Sequence, residues 1–178
     1  RFMASATRGR AISTMRAANV GAADFLSDNE HPALYRVHEG PTPEKLAALR
    51  EFLREFGLQI TGGDEPQAKD YARLLEKIKT RPDVQLLQTV MLRSLRQAMY
   101  SPENVGHFGL AYESYTHFTS PIRRYPDLLI HRSIKAVLDG KRYDSGDWLE
   151  IGVHCSETER GADEATRDVE NWLKSYYM

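Results

Sequence analysis

The stretch from Gly106 to Leu138 reads GHFGLAYESYTHFTSPIRRYPDLLIHRSIKAVL and concentrates groups that bind phosphate near its centre. Thr119 and Ser120 offer hydroxyls, and the pair Ser120-Pro121 is typical of an N-cap followed by proline at the first helical position. The free N–H groups of a helix start attract anions. The sequence therefore predicts a helix that begins at Pro121, with an anion site at its N-terminus.

Two arginines follow this predicted helix start. Arg123 and Arg124 carry guanidinium groups whose geometry matches phosphate oxygens two at a time. His117, Phe118 and Tyr125 place rings beside these charges, and rings next to cations are typical of single-stranded nucleic-acid binding. The alternative is an ordinary amphipathic helix on which Arg123 pairs with Asp127 one turn later.

The predicted helix has an apolar and a polar side. Its apolar residues recur at helical spacing and predict one buried face, formed by Ile122, Tyr125, Leu129, Ile130, Ala136 and Val137. The polar stripe opposite consists of Arg124, Asp127, His131 and Lys135. We expect Asp127 to position Arg123 or Arg124 rather than to contact a ligand.

Composition limits the possible functions of the chain. Its 178 residues suffice for one domain or most of one, and 41% hydrophobic and 28% charged residues are typical of a soluble globular protein. Because the formal net charge is −1, any basic surface must be local, and residues 123–142 are the best candidate. The single cysteine, Cys155, excludes an internal disulfide and a multi-cysteine zinc site, and it fits a reducing cytoplasm. No apolar run is long enough to span a membrane.

Periodicity and capping predict the other elements. We expect helices over residues 11–26, 42–56, 67–79, 83–99 and 147–153, and a final helix opened by a capping box of Ser156 and Glu159. Strands are predicted over residues 34–38 and 107–112. The acids Asp64, Glu65 and Asp70 fit no metal-binding loop, so we expect a solvated loop and a helix start there.

Three blocks of the chain resemble the RNB catalytic domain of the ribonuclease II and ribonuclease R family, and the ribonuclease R branch fits best. The blocks are PALYRVHEGPTPEKLAALREFLREFGL (Pro32–Leu58), PENVGHFGLAYESYTHFTSPIRRYPD (Pro102–Asp127) and HCSETERGADEATRDVENWLK (His154–Lys174). The resemblance implies a mixed α/β fold that is predominantly helical, with a few strands that complete a sheet or barrel outside this chain. It assigns residues 17–178 to the C-terminal part of the catalytic domain.

Residues 1–16 form an atypical N-terminal edge. Ile12, Ser13 and Thr14 stand where family members carry adjacent glutamates, ahead of a match at Ala17-Ala18-Asn19. The arginines of this segment, with no acid before Asp24, are typical of an organelle transit peptide. We favour the alternative that this segment is the cut edge of a longer chain.

The resemblance implies a 3′-to-5′ exoribonuclease that hydrolyses single-stranded RNA to nucleoside 5′-monophosphates. In the family, aspartates of an earlier motif, absent here, hold Mg, so we expect this fragment alone to be inactive. Arg123 matches the family's catalytic arginine, although Arg124 could instead contact the phosphate. The expected RNA contacts are Thr119, Ser120, Arg124, Tyr125 and His117.

The expected partners follow from the same resemblance. They are single-stranded RNA, the missing N-terminal half of the catalytic domain and flanking OB-fold domains, and we expect exposed apolar surface where the missing parts dock. Two other functions stay open. One is a non-catalytic RNA-binding or scaffolding module of RNB fold, and the other is a generic helical interaction domain.

Overall fold

The structure, a computed structural model, describes the backbone of residues 2–177 and the side chains of residues 13–177. Helices hold more than half of this described part, which confirms a mixed fold that is predominantly helical. They are α1 Phe2–Asp28, α2 Pro43–Glu55, α3 Ala68–Ile78, α4 Val84–Ser94, α5 Tyr125–Leu138 and α6 Trp148–Tyr177. Two strands, β1 Tyr35–Val37 and β2 Met99–Ser101, pair in a small sheet.

The chain divides into two compact units. The first contains the residues up to Arg36, Met99–Asn104 and the residues from Tyr115 onward. The second contains Val37–Ala98 and Val105–Ser114. None of the described helices combines the length and the apolar character needed to cross a bilayer.

The second unit is built on α2, whose boundaries the sequence predicted. Thr42 is the N-cap and accepts a hydrogen bond from the Lys45 amide at 3.3 Å, while Pro43 occupies the first turn. Gly57, with a φ of 66°, follows the helix. The core of this unit is formed by apolar side chains of α2, α3, α4 and the turn after α2: Leu46, Leu49, Leu53, Leu58, Ile60, Tyr71, Leu74, Ile78, Leu87 and Met91.

Two predictions for this unit are wrong. The helix expected to reach Met99 ends at Ser94, and Leu95 is already extended, so residues 99–101 are free to form β2. The strand expected over residues 107–112 is instead a 3₁₀ turn, Phe108–Leu110. The His107 side chain accepts a hydrogen bond from the Leu110 amide at 3.2 Å, and such local bonds compete with a strand ladder.

The first unit contains α6, which runs without a break where the sequence predicted two helices. The predicted capping box at Ser156 is wrong, because the Ser156 hydroxyl lies inside the helix and donates to the Gly152 carbonyl at 2.7 Å. The same hydroxyl accepts from the Tyr100 amide of β2 at 2.9 Å. A Cβ at Gly152 would lie 2.8 Å from the Tyr100 carbonyl oxygen, so the strand packs directly on the helix backbone.

The C-terminal half of α6 carries an exposed apolar stripe. From Gly161 to Tyr177 every residue is exposed. Val169, Trp172 and Tyr176 lie in this segment, and the rings of the last two stack at 5.8 Å. The helix α6 therefore carries an exposed apolar surface, and the expectation that missing parts of the protein dock on such a surface stays a prediction.

Candidate functional site

The helix that follows the two arginines begins four residues later than the sequence predicted. Arg124 is its N-cap, with an extended backbone at φ −125° and ψ 118°, and Pro126 lies in the first turn. A helix that began at Pro121 would hold Pro126 in its interior, where the ring clashes with the carbonyl of Ile122 and removes a hydrogen bond. Ile122, predicted on the buried face, is therefore outside the helix and fully exposed.

Residues 117–124, here called the arginine loop, end in a tight turn. The Ser120 carbonyl accepts hydrogen bonds from the amides of Arg123 at 3.3 Å and Arg124 at 3.1 Å. Ser120 is thus the start of a turn and not a helix cap. Backbone hydrogen bonds fix the main chain on both sides of Pro121 and Ile122.

The Asp127 side chain holds this turn through hydrogen bonds. The sequence placed Asp127 on a polar stripe, which is wrong, because its side chain is completely buried. Its Oδ1 accepts from the Ser120 amide at 2.7 Å and from Arg124 Nη2 at 2.8 Å. The expectation that Asp127 positions one of the arginines is confirmed for Arg124, and the alternative pairing of Asp127 with Arg123 is wrong.

The two adjacent arginines have different environments. Arg124 is largely buried and tied to Asp127. Arg123 is exposed, and its guanidinium makes no hydrogen bond or ion pair with the side chains that the structure describes. An exposed guanidinium on a turn with fixed ends is available to an external anion at little cost in ordering the main chain.

His117 lies at the start of the arginine loop and is bonded inside the protein. Its Nδ1 is 2.8 Å from the Tyr100 hydroxyl, and its ring meets that of Tyr115 edge-on at 6.0 Å. Burial raises the pKa of the Tyr100 phenol to about 12, so this hydroxyl stays protonated at neutral pH. Arg36 lies 4.6 Å above the Tyr100 ring and pairs with Glu159 of α6 at 2.6 Å.

The remaining predicted contact residues line the same loop. Thr119 and Ser120 are half-buried, and Tyr125, at the start of α5, is 51% exposed although the sequence predicted it on the buried face. The loop and the first turn of α5 therefore bring together all six predicted site residues: His117, Thr119, Ser120, Arg123, Arg124 and Tyr125.

Sequence reasoning missed two anchors of this loop. Asn19 of α1 is buried; its Nδ2 donates to the Tyr115 hydroxyl at 2.8 Å, and its Oδ1 accepts from the Phe118 amide at 3.0 Å. His131 of α5 contacts the Phe118 carbonyl at 2.9 Å and stacks on the Phe118 ring at 4.2 Å. The sequence offered one signal for Asn19, which is a polar residue among small and apolar residues of a predicted helix. A residue buried with such neighbours requires hydrogen-bond partners for its amide.

The potential metal ligands among the described side chains do not form a cluster. No group of three or more His, Cys, Asp or Glu residues among them lies close enough to hold an ion. Asp70 is a helix-capping residue that accepts from the Thr61 hydroxyl at 2.5 Å and from the Gln67 amide at 2.9 Å.

The profile of the RNB domain matches residues 11–140. This chain belongs to the RNB domain family. It is 50% identical over 174 residues to ribonuclease R of Escherichia coli strain K12, a match that covers 90% of this chain and 21% of that protein. The RNB chain described here thus spans about a fifth of the length of that relative.

Solved structures of other proteins are similar to this one. RNase R of Mycoplasma genitalium in complex with ribose-methylated single-stranded RNA has a TM-score of 0.83 at 29% identity, and the match covers 90% of this chain and 27% of that one. Yeast Ssd1, a pseudonuclease, has a TM-score of 0.68 at 27% identity, with 82% of this chain and 18% of that one covered.

Proposed function

We propose that residues 17–178 are the C-terminal part of the catalytic domain of a 3′-to-5′ exoribonuclease, which hydrolyses single-stranded RNA to nucleoside 5′-monophosphates. Membership of the RNB domain family and the similarity to ribonuclease R support the proposal. The observation that carries it is the environment of Arg123, an exposed guanidinium on a loop that is fixed from two helices.

Arg123 is the proposed catalytic residue. Negative charge accumulates on a phosphodiester as a water molecule attacks it. A guanidinium that is already in place stabilises that charge more in the transition state than in the ground state, and this difference accelerates the reaction. Because the turn at Ser120 is closed by backbone hydrogen bonds, little reorganisation is needed when RNA binds.

The other loop residues are proposed to bind RNA in two ways. Thr119, Ser120 and Tyr125 are accessible, so their hydroxyls and the Tyr125 ring can contact the backbone and stack on a base. Arg124 and His117 already have partners inside the protein and support RNA binding by fixing the loop.

The proposed enzyme needs groups from outside this chain. Magnesium would be held by residues elsewhere in the protein, and the N-terminal half of the catalytic domain and OB-fold domains are the proposed partners. We place the protein in the cytoplasm, on the basis of its single cysteine.

Single-turnover degradation of 5′-labelled oligoadenylate by the complete gene product, with magnesium, tests the proposal. Arg123→Ala should slow degradation by about 10²–10³-fold, which is the cost of losing one fixed charge-stabilising group. Arg93→Ala, at an exposed arginine of α4, is the matched control and should be neutral. Degradation by Arg123→Ala at the wild-type rate would show that Arg123 is not catalytic.

A second candidate is a non-catalytic RNA-binding or scaffolding module. The similarity to the pseudonuclease Ssd1 favours it. This candidate predicts that the complete gene product binds oligoadenylate with an affinity that falls with salt, while it releases no nucleotides at saturating magnesium.

A further inference from the structure

The Asn19 side chain connects α1 to the start of the arginine loop. It is 4% exposed, and a buried amide is unfavourable unless both its donor and its acceptor are used. Both are used on one short segment, since Nδ2 donates to the Tyr115 hydroxyl and Oδ1 accepts from the Phe118 amide. Asn19 and Phe118 are 99 residues apart in sequence, so this bond is a tertiary one.

Several hydrogen bonds hold the main chain between Phe118 and Arg123. The Phe118 amide donates a hydrogen bond to the Asn19 side chain, and the Phe118 carbonyl is hydrogen-bonded to the His131 ring. Two residues later the Ser120 amide is bonded by Asp127, and the Ser120 carbonyl accepts from the Arg123 amide. A shift at Phe118 is therefore passed to the turn that presents Arg123.

The three anchors do not have equal roles. Asp127 and His131 belong to α5, the helix into which the loop leads, so they hold the loop to its own continuation. Asn19 belongs to α1 and, among the described side chains with a bond to residues 118–124, is the one that comes from a different helix. Asn19 therefore ties the loop to α1 directly, in addition to the packing of α5 on α1.

We infer that Asn19 is a positioning residue that sets the location of Arg123 through the Phe118 amide, an inference that rests on the proposed function. Asn19 itself is buried beneath the loop and does not contact the substrate. Its effect is on orientation, and a misplacement of about 1 Å at a reacting centre can reduce the rate by about 10²-fold.

Steady-state kinetics of RNA degradation by the complete gene product provide the first test. Asn19→Leu keeps the size of the side chain and removes both hydrogen bonds. Its kcat should fall by about 10- to 10²-fold with KM for RNA little changed, because the loss is in orientation rather than in binding. Asn19→Asp keeps an acceptor for the Phe118 amide and should restore most of kcat. Asn19→Ser, which cannot reach that amide, replaces Asn19→Leu if the latter does not fold.

Tyr115→Phe is the matched control. It removes the other hydrogen bond of Asn19 and leaves the bond to the Phe118 amide in place. Its kcat should stay close to that of the wild type. If Tyr115→Phe and Asn19→Leu lower kcat equally, or if Asn19→Leu leaves kcat unchanged, the inference is overturned.

Trypsin cleavage after Arg123 gives a second readout that does not depend on activity. Asn19→Leu should be cut there faster than the wild type and Tyr115→Phe, when all three are compared under conditions in which each is folded. Equal cleavage rates overturn the inference whether or not RNA is degraded. Faster cleavage together with an inactive wild-type protein supports the anchoring by Asn19 and refutes the proposed exoribonuclease function instead.

Discussion

Arg124 and Asp127 form an ion pair of 2.8 Å in which the Asp127 side chain is completely buried and the Arg124 side chain is 21% exposed. The neighbouring residue, Arg123, has an exposed side chain and no such partner among the described residues. Two arginines that are adjacent in sequence therefore differ in what they do: one holds the turn and the other extends from it.

Stability measurements should separate these two arginines. Arg124→Ala leaves a buried carboxylate without its counter-ion and should lower the free energy of unfolding by about 3–5 kcal/mol. Arg123→Ala removes an exposed side chain and should change that free energy by less than about 0.5 kcal/mol. Urea unfolding of the 178-residue chain measures both. Equal losses in the two variants would contradict the assignment of the structural role to Arg124.

Two glycines of α6 should respond in opposite ways to alanine. At Gly152 the added methyl group would lie 2.8 Å from the Tyr100 carbonyl oxygen, whereas nothing lies within 4 Å of a Cβ at Gly161. Gly152→Ala should cost about 1–3 kcal/mol of stability through overpacking. Gly161→Ala should stabilise by about 0.5–1 kcal/mol through its helix propensity. Thermal unfolding followed by circular dichroism provides the measurement, and destabilisation of both variants would argue against the close approach of β2 to α6.

The contribution of Asp70 to stability should depend on pH. The hydrogen bond from the Thr61 hydroxyl, followed by that from the Gln67 amide, lowers the pKa of Asp70 below the ordinary value of 3.8. A lowered pKa in the folded state gives stability that is present above pH 4 and is lost as the pH falls through the folded-state value. The difference in unfolding free energy between the wild type and Asp70→Asn should thus be constant from pH 5 to pH 7 and shrink below pH 4.

Asp64→Asn is the control for this titration, because the Asp64 side chain is fully exposed. Its difference from the wild type should be small at every pH. A difference for Asp70→Asn that stays constant down to pH 2 would show that the carboxylate is not held by these bonds.

The thiol of Cys155 should react slowly in the folded chain. Burial, and to a smaller extent the charge of Glu159, raises the pKa of this thiol. The thiolate is the reactive form, so both the low thiolate fraction and the restricted access slow alkylation. Iodoacetamide labelling at pH 8 should be slow in buffer and fast in concentrated urea. Similar rates under the two conditions would place Cys155 at an accessible position.

The elements that local signals define were predictable from the sequence. The helix α2 has its N-cap at Thr42, proline in the first turn and glycine after the last turn, and each residue acts as its type suggests. The prediction failed at Ser156, because a serine can either cap a helix or form hydrogen bonds from within one. Ser156 matches a capping box, yet its hydroxyl bonds within α6 and to the amide of Tyr100, a tertiary partner that no local pattern reveals.

The candidate site was predictable in its residues and not in its arrangement. The positions near Arg123 follow from the family resemblance, but the start of α5 depends on Pro126, a constraint that outweighs the favourable Ser120-Pro121 pair. Buried anchors such as Asn19 were missed because their partners are about a hundred residues away in sequence. Periodicity describes which face of a helix is apolar, and it does not show which polar side chain a loop will cover.

The bond from the Tyr100 amide to the Ser156 hydroxyl has a consequence for the order of folding. A two-stranded sheet is marginal on its own, and β2 obtains this bond only from a residue 56 positions later. At ribosomal rates of about 5–20 residues per second, the Tyr100 amide waits roughly 3–11 s for Ser156 to be made. The packing of β2 on α6 therefore forms only after residue 156 has been synthesised, later than the bonds of Asn19, Asp127 and His131 to the arginine loop.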